Sequence, residues 1–173
     1  MITKELFSSR IETKLGPMLA IASYDYLYAL LFCDEIGVEK KIHKVAKNSN
    51  STIKEGKTPV TDSIAKELGE YFDGKLSTFN TPIKPIGSPF QLTVWKMLGK
   101  VSHGQACSYE ALAINIKKPT AFRAVANANG KNNLAIIIPC HRIINKSGKL
   151  GGYSGGLSKK EWLLKHEGIS YIS

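Results

Sequence analysis

Ser88-Pro89-Phe90-Gln91 is a complete helix start. The serine accepts from free N–H groups of the first turn, the proline sits at the first helical position where no N–H is needed, and the glutamine three residues on reaches back. The helix it opens carries Phe90, Val94, Met97 and Leu98 on one face, and Gly99 to Gly104 ends it. Upstream, Gly74, Thr81-Pro82, Lys84-Pro85 and Gly87-Ser88-Pro89 break any regular pattern. The chain therefore divides here into an α/β domain over residues 1–80, a connector over 81–87 and a second domain over 88–173.

The two sides differ in periodicity. Leu6 to Thr13, Met18 to Ser23 and Leu27 to Cys33 read as strands, the last two joined by the turn Tyr24-Asp25-Tyr26, so an antiparallel meander is predicted. Val38 to Lys47 and Val60 to Phe72 have helical spacing, as in Ile64, Leu68 and Tyr71. Beyond the connector, Ser108 is placed to cap a helix over Tyr109 to Ile116, Lys117-Lys118-Pro119 breaks it, and Thr120 is placed to cap another that runs to Gly130. Two short helices joined by a tight turn resemble a helix-turn-helix, with Arg123, Asn127 and Asn129 on the second helix. Ser158-Lys159-Lys160-Glu161 reads as a second capping box, opening a last helix that points Trp162, Leu163 and Leu164 or His166 inward and that Gly168 ends. The predicted class is α+β: a small antiparallel sheet with helices, then a helix-rich domain.

A chain of 173 residues with 43% hydrophobic content supplies a core. Its 24 Lys and Arg against 14 Asp and Glu give a net charge of +10, which fits a nucleic-acid partner or a bare basic surface equally well. The most apolar early segment, Leu27 to Cys33, is too short to cross a bilayer and no signal peptide opens the chain, so a cytoplasmic protein, monomeric and not membrane-bound, is expected. Cys33, Cys107 and Cys140 are odd in number and lack metal-site spacing, so no metal or other cofactor is expected. Cys33 and Cys107 read as small buried hydrophobes.

Cys140 differs. In Ile137-Ile138-Pro139-Cys140-His141-Arg142 it follows an apolar run, Pro139 turns the chain, and His141 and Arg142 bring positive charge that favours a thiolate. Adjacent residues on an extended strand face opposite ways, so His141 assists directly only if the backbone turns, or through a water. A third group orienting the imidazole would complete a relay. After Cys140 the acidic residues are Glu161 and Glu167; with Glu161 assigned to the capping box, Glu167 is the candidate. A satisfied core histidine and a surface glutamate remain open as readings of His141 and Glu167.

The combination Pro139-Cys140-His141-Arg142, Gly152-Tyr153-Ser154-Gly155-Gly156-Leu157 and Lys160-Glu161-Trp162-Leu163-Leu164-Lys165-His166-Glu167-Gly168, with Ser108-Tyr109 and Arg123-Ala124-Val125 upstream, resembles the O6-alkylguanine-DNA alkyltransferases, suicide DNA-repair proteins. The resemblance runs from about Phe90 to Gly168 and implies that Cys140 is the alkyl acceptor, activated through a water by His141, which Glu167 orients. It implies that Asn132 braces the turn before the cysteine, and that Tyr109 presses on the target phosphate and gives a proton to the purine N3. It implies further that Arg123 enters the stack in place of the flipped base, from a helix in the minor groove whose Thr120, Ala121, Ala124 and Asn129 touch the duplex. Tyr153, Ser154 and Lys160 would form the guanine pocket, with the carbonyls of Cys140 and Ile143 accepting from the guanine amine. A ribonuclease H-like N-terminal domain and a winged-helix-like C-terminal one are implied as well.

The reaction implied is one alkyl transfer per molecule from O6 of guanine, or O4 of thymine, in double-stranded DNA. The chain departs from the family in Asn133, where a proline is common, and in Lys117 or Lys118, where a glycine is common. It also lacks the N-terminal Cys and His cluster that holds zinc in some relatives. A cysteine hydrolase using Cys140 and His141, and a helix-turn-helix binder without chemistry, are the competing readings.

Overall fold

The computed structural model describes residues 3–173. Strands β1 (Lys4–Ile11), β2 (Met18–Ala22) and β3 (Leu27–Phe32) form the antiparallel meander, with Phe7 opposite Ala22 and Met18 opposite Phe32. Helix α1 (Val38–Asn48) then leads to a strand absent from the expected set, β4 (Ser51–Glu55), which pairs parallel to β1 with Lys4 opposite Ser51. The sheet is therefore mixed, in the order β3-β2-β1-β4. The reason β4 escapes sequence reading is plain in Ser51-Thr52-Ile53-Lys54-Glu55: an edge strand needs few hydrophobes and tolerates charge. Helix α2 (Pro59–Phe72) starts on a capping box of Thr58 and Thr61 and buries Ile64, Leu68, Tyr71 and Phe72.

The core of this half gathers Leu6, Ile21, Tyr28, Leu31 and Val45, and β3 is buried at every position. The chain separates into two compact units, Met1–Ile86 and Gly87–Ser173. Residues 80–86 are not a loose tether but belong to the first unit. Glu67 accepts from the backbone of Asn80 at 2.7 Å and from the hydroxyl of Thr81 at 2.6 Å, and Leu27 exchanges backbone bonds with Pro82 and Lys84.

The second unit begins with α3 (Pro89–Leu98), whose Ser88 and Gln91 make the reciprocal capping bonds at 3.2 and 3.0 Å. Its buried face is Val94, Trp95 and Leu98, with Phe90 and Met97 only half-buried. The indole of Trp95 donates to the Ala128 carbonyl at 2.8 Å, and Gly87 has no room for a side chain because an added Cβ would lie 2.6 Å from the Trp95 ring. Helices α4 (Tyr109–Asn115) and α5 (Phe122–Gly130) pack on α3 and on each other. Ser108 caps α4 as expected, but Thr120 does not cap α5; that helix starts after Ala121 without a side-chain cap. Likewise the Ser158 box does not form, since α6 (Leu157–His166) starts two residues earlier than that box would set it, with Gly156 at the cap position at φ +99° and no side-chain cap. α6 buries Lys160, Leu163 and Leu164, leaving Trp162 and His166 half-buried. Two short strands, β5 (Cys107–Ser108) and β6 (Ile143–Ile144), pair in parallel.

Cys33 and Cys107 are half-buried, not sealed in a core, and none of the three cysteines forms a disulfide. Among the described residues no helix is long and apolar enough to cross a membrane.

Candidate active site

The apolar run before Cys140 is not a strand. Leu134 to Ile138 folds as turns, with Ile136 held at φ +71°, a conformation that costs a β-branched residue energy and persists only where the surroundings impose it. Pro139 then caps a single 3-10 turn, Cys140–Arg142. The backbone therefore turns at Cys140 and His141 and is not extended there, and the pairing of β6 with β5 brings Tyr109, the first residue of α4, alongside.

Asn132 organises the turn. Its side-chain oxygen accepts from Leu134 N–H at 2.9 Å, while Nδ2 donates to the Ile138 carbonyl at 2.8 Å and lies 3.2 Å from Cys140 Sγ. An N–H aimed at sulfur stabilises the thiolate over the thiol. This contact was not legible in the sequence, where Asn132 read only as a hinge. Cys140 itself is 3% exposed.

His141 is fully buried and pairs through Nε2 with Glu167 Oε1 at 2.8 Å. Its Nδ1 is buried without a hydrogen bond among the described residues. Arg142 does not face the thiol as its position implied; Nε donates to Glu167 Oε2 at 2.7 Å, Nη2 to Oε1 at 3.0 Å and Nη1 to the Val101 carbonyl at 2.6 Å. Burial pushes the His141 imidazole below its ordinary value, outweighing the hydrogen bond it donates to Glu167, which raises it, and this favours the neutral ring. Burial by itself would raise the Glu167 carboxyl, but the hydrogen bonds from His141 and Arg142 prevail and hold it well below the usual carboxylate range. The result is a fixed imidazole with Nε2–H on a carboxylate and a lone pair on Nδ1, the form a proton acceptor needs. Glu161, once assigned to a capping box, has no such bond at the helix start; it is burial beside His141 and Arg142 that singles out Glu167.

Cys140 lines a cleft of about 360 Å³ together with Tyr109, Asn127, Asn129, Gly130, Tyr153 and Ser154. The Tyr109 hydroxyl is raised above its ordinary value by burial and then by the nearby Cys140, so it keeps its proton. Tyr109 is braced by Gly151, which adopts φ +68° and would set an added Cβ 3.0 Å from the hydroxyl.

One expected pocket contact is corrected. Lys160 does not line the cleft: it is wholly buried, and its ammonium donates to the carbonyls of Ile143 at 2.6 Å, Leu150 at 2.5 Å and Gly152 at 3.0 Å. Burial lowers it to about 8, opposed by the nearby Cys140, and the clamp spends all three of its protons on backbone. The Ile143 carbonyl is thereby engaged, and the Cys140 carbonyl receives Ile143 N–H and, at 3.4 Å, Asn129 Nδ2. Asn129 is 5% exposed, so it does not lie on the outer face where a duplex contact would be made. Arg123, Thr120 and Ala124 are exposed and Ala121 half-buried at the start of α5, with the Arg123 guanidinium 5.9 Å from the Phe122 ring centre.

Fold and site together define a class: a mixed-sheet unit followed by a helical unit that holds a buried thiol, hydrogen-bonded at sulfur, on the wall of a cleft. Comparison gives it a family. Residues 89–169 match the pattern described as 6-O-methylguanine DNA methyltransferase, DNA binding domain, and residues 6–85 its ribonuclease-like domain. A methylated-DNA–protein-cysteine methyltransferase of Shigella flexneri is 37% identical over 94% of this chain and 96% of its own, and the constitutive one of Bacillus subtilis 36% over 92% and 94%. One from Methanosarcina barkeri is 50% identical over 103 residues, which span 60% of this chain and 65%, under two thirds, of that relative. The crystal structure of the Mycobacterium tuberculosis O6-methylguanine methyltransferase superposes with a TM-score of 0.81 at 34% identity, covering 94% of this chain and 93% of that one. Another from that organism, in complex with DNA, gives 0.79 at 33%, covering 95% and 92%. The chain belongs to the methylated-DNA–protein-cysteine methyltransferase family.

Proposed function

We propose that this protein repairs alkylated DNA by direct reversal, moving an alkyl group from O6 of guanine, or O4 of thymine, to Cys140 in a single turnover. The observation that carries this reading is the Cys140 thiol on the cleft wall, with an N–H of Asn132 at 3.2 Å from its sulfur and a neutral His141 fixed on Glu167 beside it. His141 Nδ1 takes the thiol proton through a water molecule. The thiolate attacks the alkyl carbon, the carbon–oxygen bond breaks, a thioether forms, and guanine leaves as an anion that the Tyr109 hydroxyl protonates at N3. Nothing at the site cleaves a carbon–sulfur bond, so the thiol is consumed.

Double-stranded DNA is the partner. Residues 88–173 hold it and do the chemistry, with α4 and α5 acting as a helix-turn-helix laid in the minor groove and residues 1–80 as support. O6 of a stacked guanine is out of reach of a buried sulfur, so the base is flipped and Arg123 fills its place. The +10 charge and the DNA complex of the Mycobacterium tuberculosis relative support this partner. A reduced thiol is kept best in the cytoplasm, which is where the protein works.

Incubation with an oligonucleotide carrying O6-methylguanine, followed by mass spectrometry of the peptide spanning Cys140, tests the reading. One methyl per protein on Cys140 is expected, and continued turnover or an unmodified Cys140 would overturn it.

A further inference from the structure

Val38, Ile42 and Val45 turn one side of α1 into the core of the first unit, where they pack with Leu6, Ile21 and Leu31. A residue two positions further along a helix sits about 200° round it, on the far side. Lys40, Lys44 and Lys47 hold those positions, with His43 beside them in one sector of about 100°. All four are exposed, and no other exposed side chain lies between Lys40 and Lys47. The stripe is basic although residues 1–86 as a whole carry nearly as many Asp and Glu as Lys and Arg. The acids are engaged elsewhere: Lys41, on the flank of the helix, pairs with the buried Glu35, while Lys14 pairs with Asp73, Lys54 with Glu5 and Lys66 with Glu70. Lys40, Lys44 and Lys47 have no such partner among the described residues.

Three unpaired ammonium groups over about 10 Å of helix repel one another, and a polyanion relieves that repulsion. Along that length each strand of a duplex carries about three phosphates. Lysine, a point charge on a flexible stem, follows a phosphate backbone without demanding a fixed geometry. A protein partner would be met by aromatic anchors at a surface poor in lysine, and a membrane surface by an apolar face that sinks into it. The stripe offers neither. We infer that the outer face of α1 is a second DNA-binding surface, which holds the phosphates of duplex DNA through Lys40, Lys44 and Lys47 without reading sequence. It gives the first unit a role beyond support, and it rests on the reading of double-stranded DNA as the partner.

Acetylation footprinting of the intact protein, with and without excess undamaged duplex and with each lysine read by mass spectrometry, tests the assignment. Duplex should slow acetylation of Lys40, Lys44 and Lys47 about fivefold or more at about 50 mM salt, and about 500 mM salt should remove the protection. Lys66 and Lys75, exposed on the same unit, should react alike in both samples. A variant with Lys40→Gln, Lys44→Gln and Lys47→Gln should lower the slope of log affinity against log salt by about 2 to 3, with its rate on free O6-benzylguanine unchanged. Unchanged acetylation of the three lysines, equal protection at Lys66 and Lys75, or an unchanged slope would overturn the assignment. So would protection by phosphatidylserine–phosphatidylcholine vesicles but not by duplex. Methyl transfer to Cys140 would survive each of those outcomes, whereas a native protein that binds no duplex would overturn the DNA reading and this assignment with it.

Discussion

Glu167 is the residue on which the site turns, because His141 and Arg142 both converge on its two oxygens in a space without solvent. Removing one partner of such a buried set leaves an uncompensated charge, so Arg142→Ala is expected to lose about 3–5 kcal/mol of stability by urea unfolding. The same cluster sets the response to acid. Glu167 and His141 both titrate lower in the folded chain than their ordinary values of 4.5 and 6.5. A depressed value means that the unfolded chain binds protons more readily, so the stability these groups contribute is present above those values. It is lost as pH falls, first through the histidine range and then through the carboxylate range. Melting curves recorded from about pH 8 down to about pH 2 should show that progressive loss, and Glu167→Gln should remove its lower step.

At the scale of elements, the α4–α5 corner shows what a departure from the family does. Lys117 follows the C-cap of α4 at φ +61°, a position where glycine is unstrained and lysine is not, and Lys118 N–H closes the motif on the Ala113 carbonyl at 2.9 Å. Lys117→Gly should therefore raise stability by about 0.5–1 kcal/mol in thermal unfolding without altering helix content. Arg123→Ala is expected to slow methyl transfer from duplex DNA while leaving the reaction with free O6-benzylguanine near the native rate, and equal loss on both would exclude a role in base delivery. Helices α3 and α4 were legible because their caps are local: Ser88 and Ser108 each bond within three residues, whereas α2 was legible from its apolar spacing and its Thr58 cap was missed. The starts of α5 and α6 were not: Ala121, one residue after Thr120, and Gly156, two residues before Ser158, hold the cap positions without a side-chain bond, so no local capping pattern marks them.

For the whole molecule, alkylation of Cys140 forces extra volume into a segment that is 3% exposed and bound on several sides by Asn132. Overpacking of this kind costs about 1–3 kcal/mol. The methylated protein should accordingly melt below the unmodified one, as differential scanning calorimetry would measure. The two-unit division and the helices with strong caps were determined by the sequence itself, since hydrophobic period and capping chemistry act over a few residues. The candidate thiol and its histidine were read from one short run around Cys140. Tertiary structure alone decided the rest: the parallel pairing of β4, the single 3-10 turn at Cys140, the attachment of His141 and Arg142 to Glu167, and the conversion of Lys160 from pocket wall to backbone clamp. Those depend on which polar groups are sealed together away from water, where an unpaired charge or amide is costly. Partners 25 or more residues apart, such as Arg142 and Glu167, are brought together by packing and not by any local pattern.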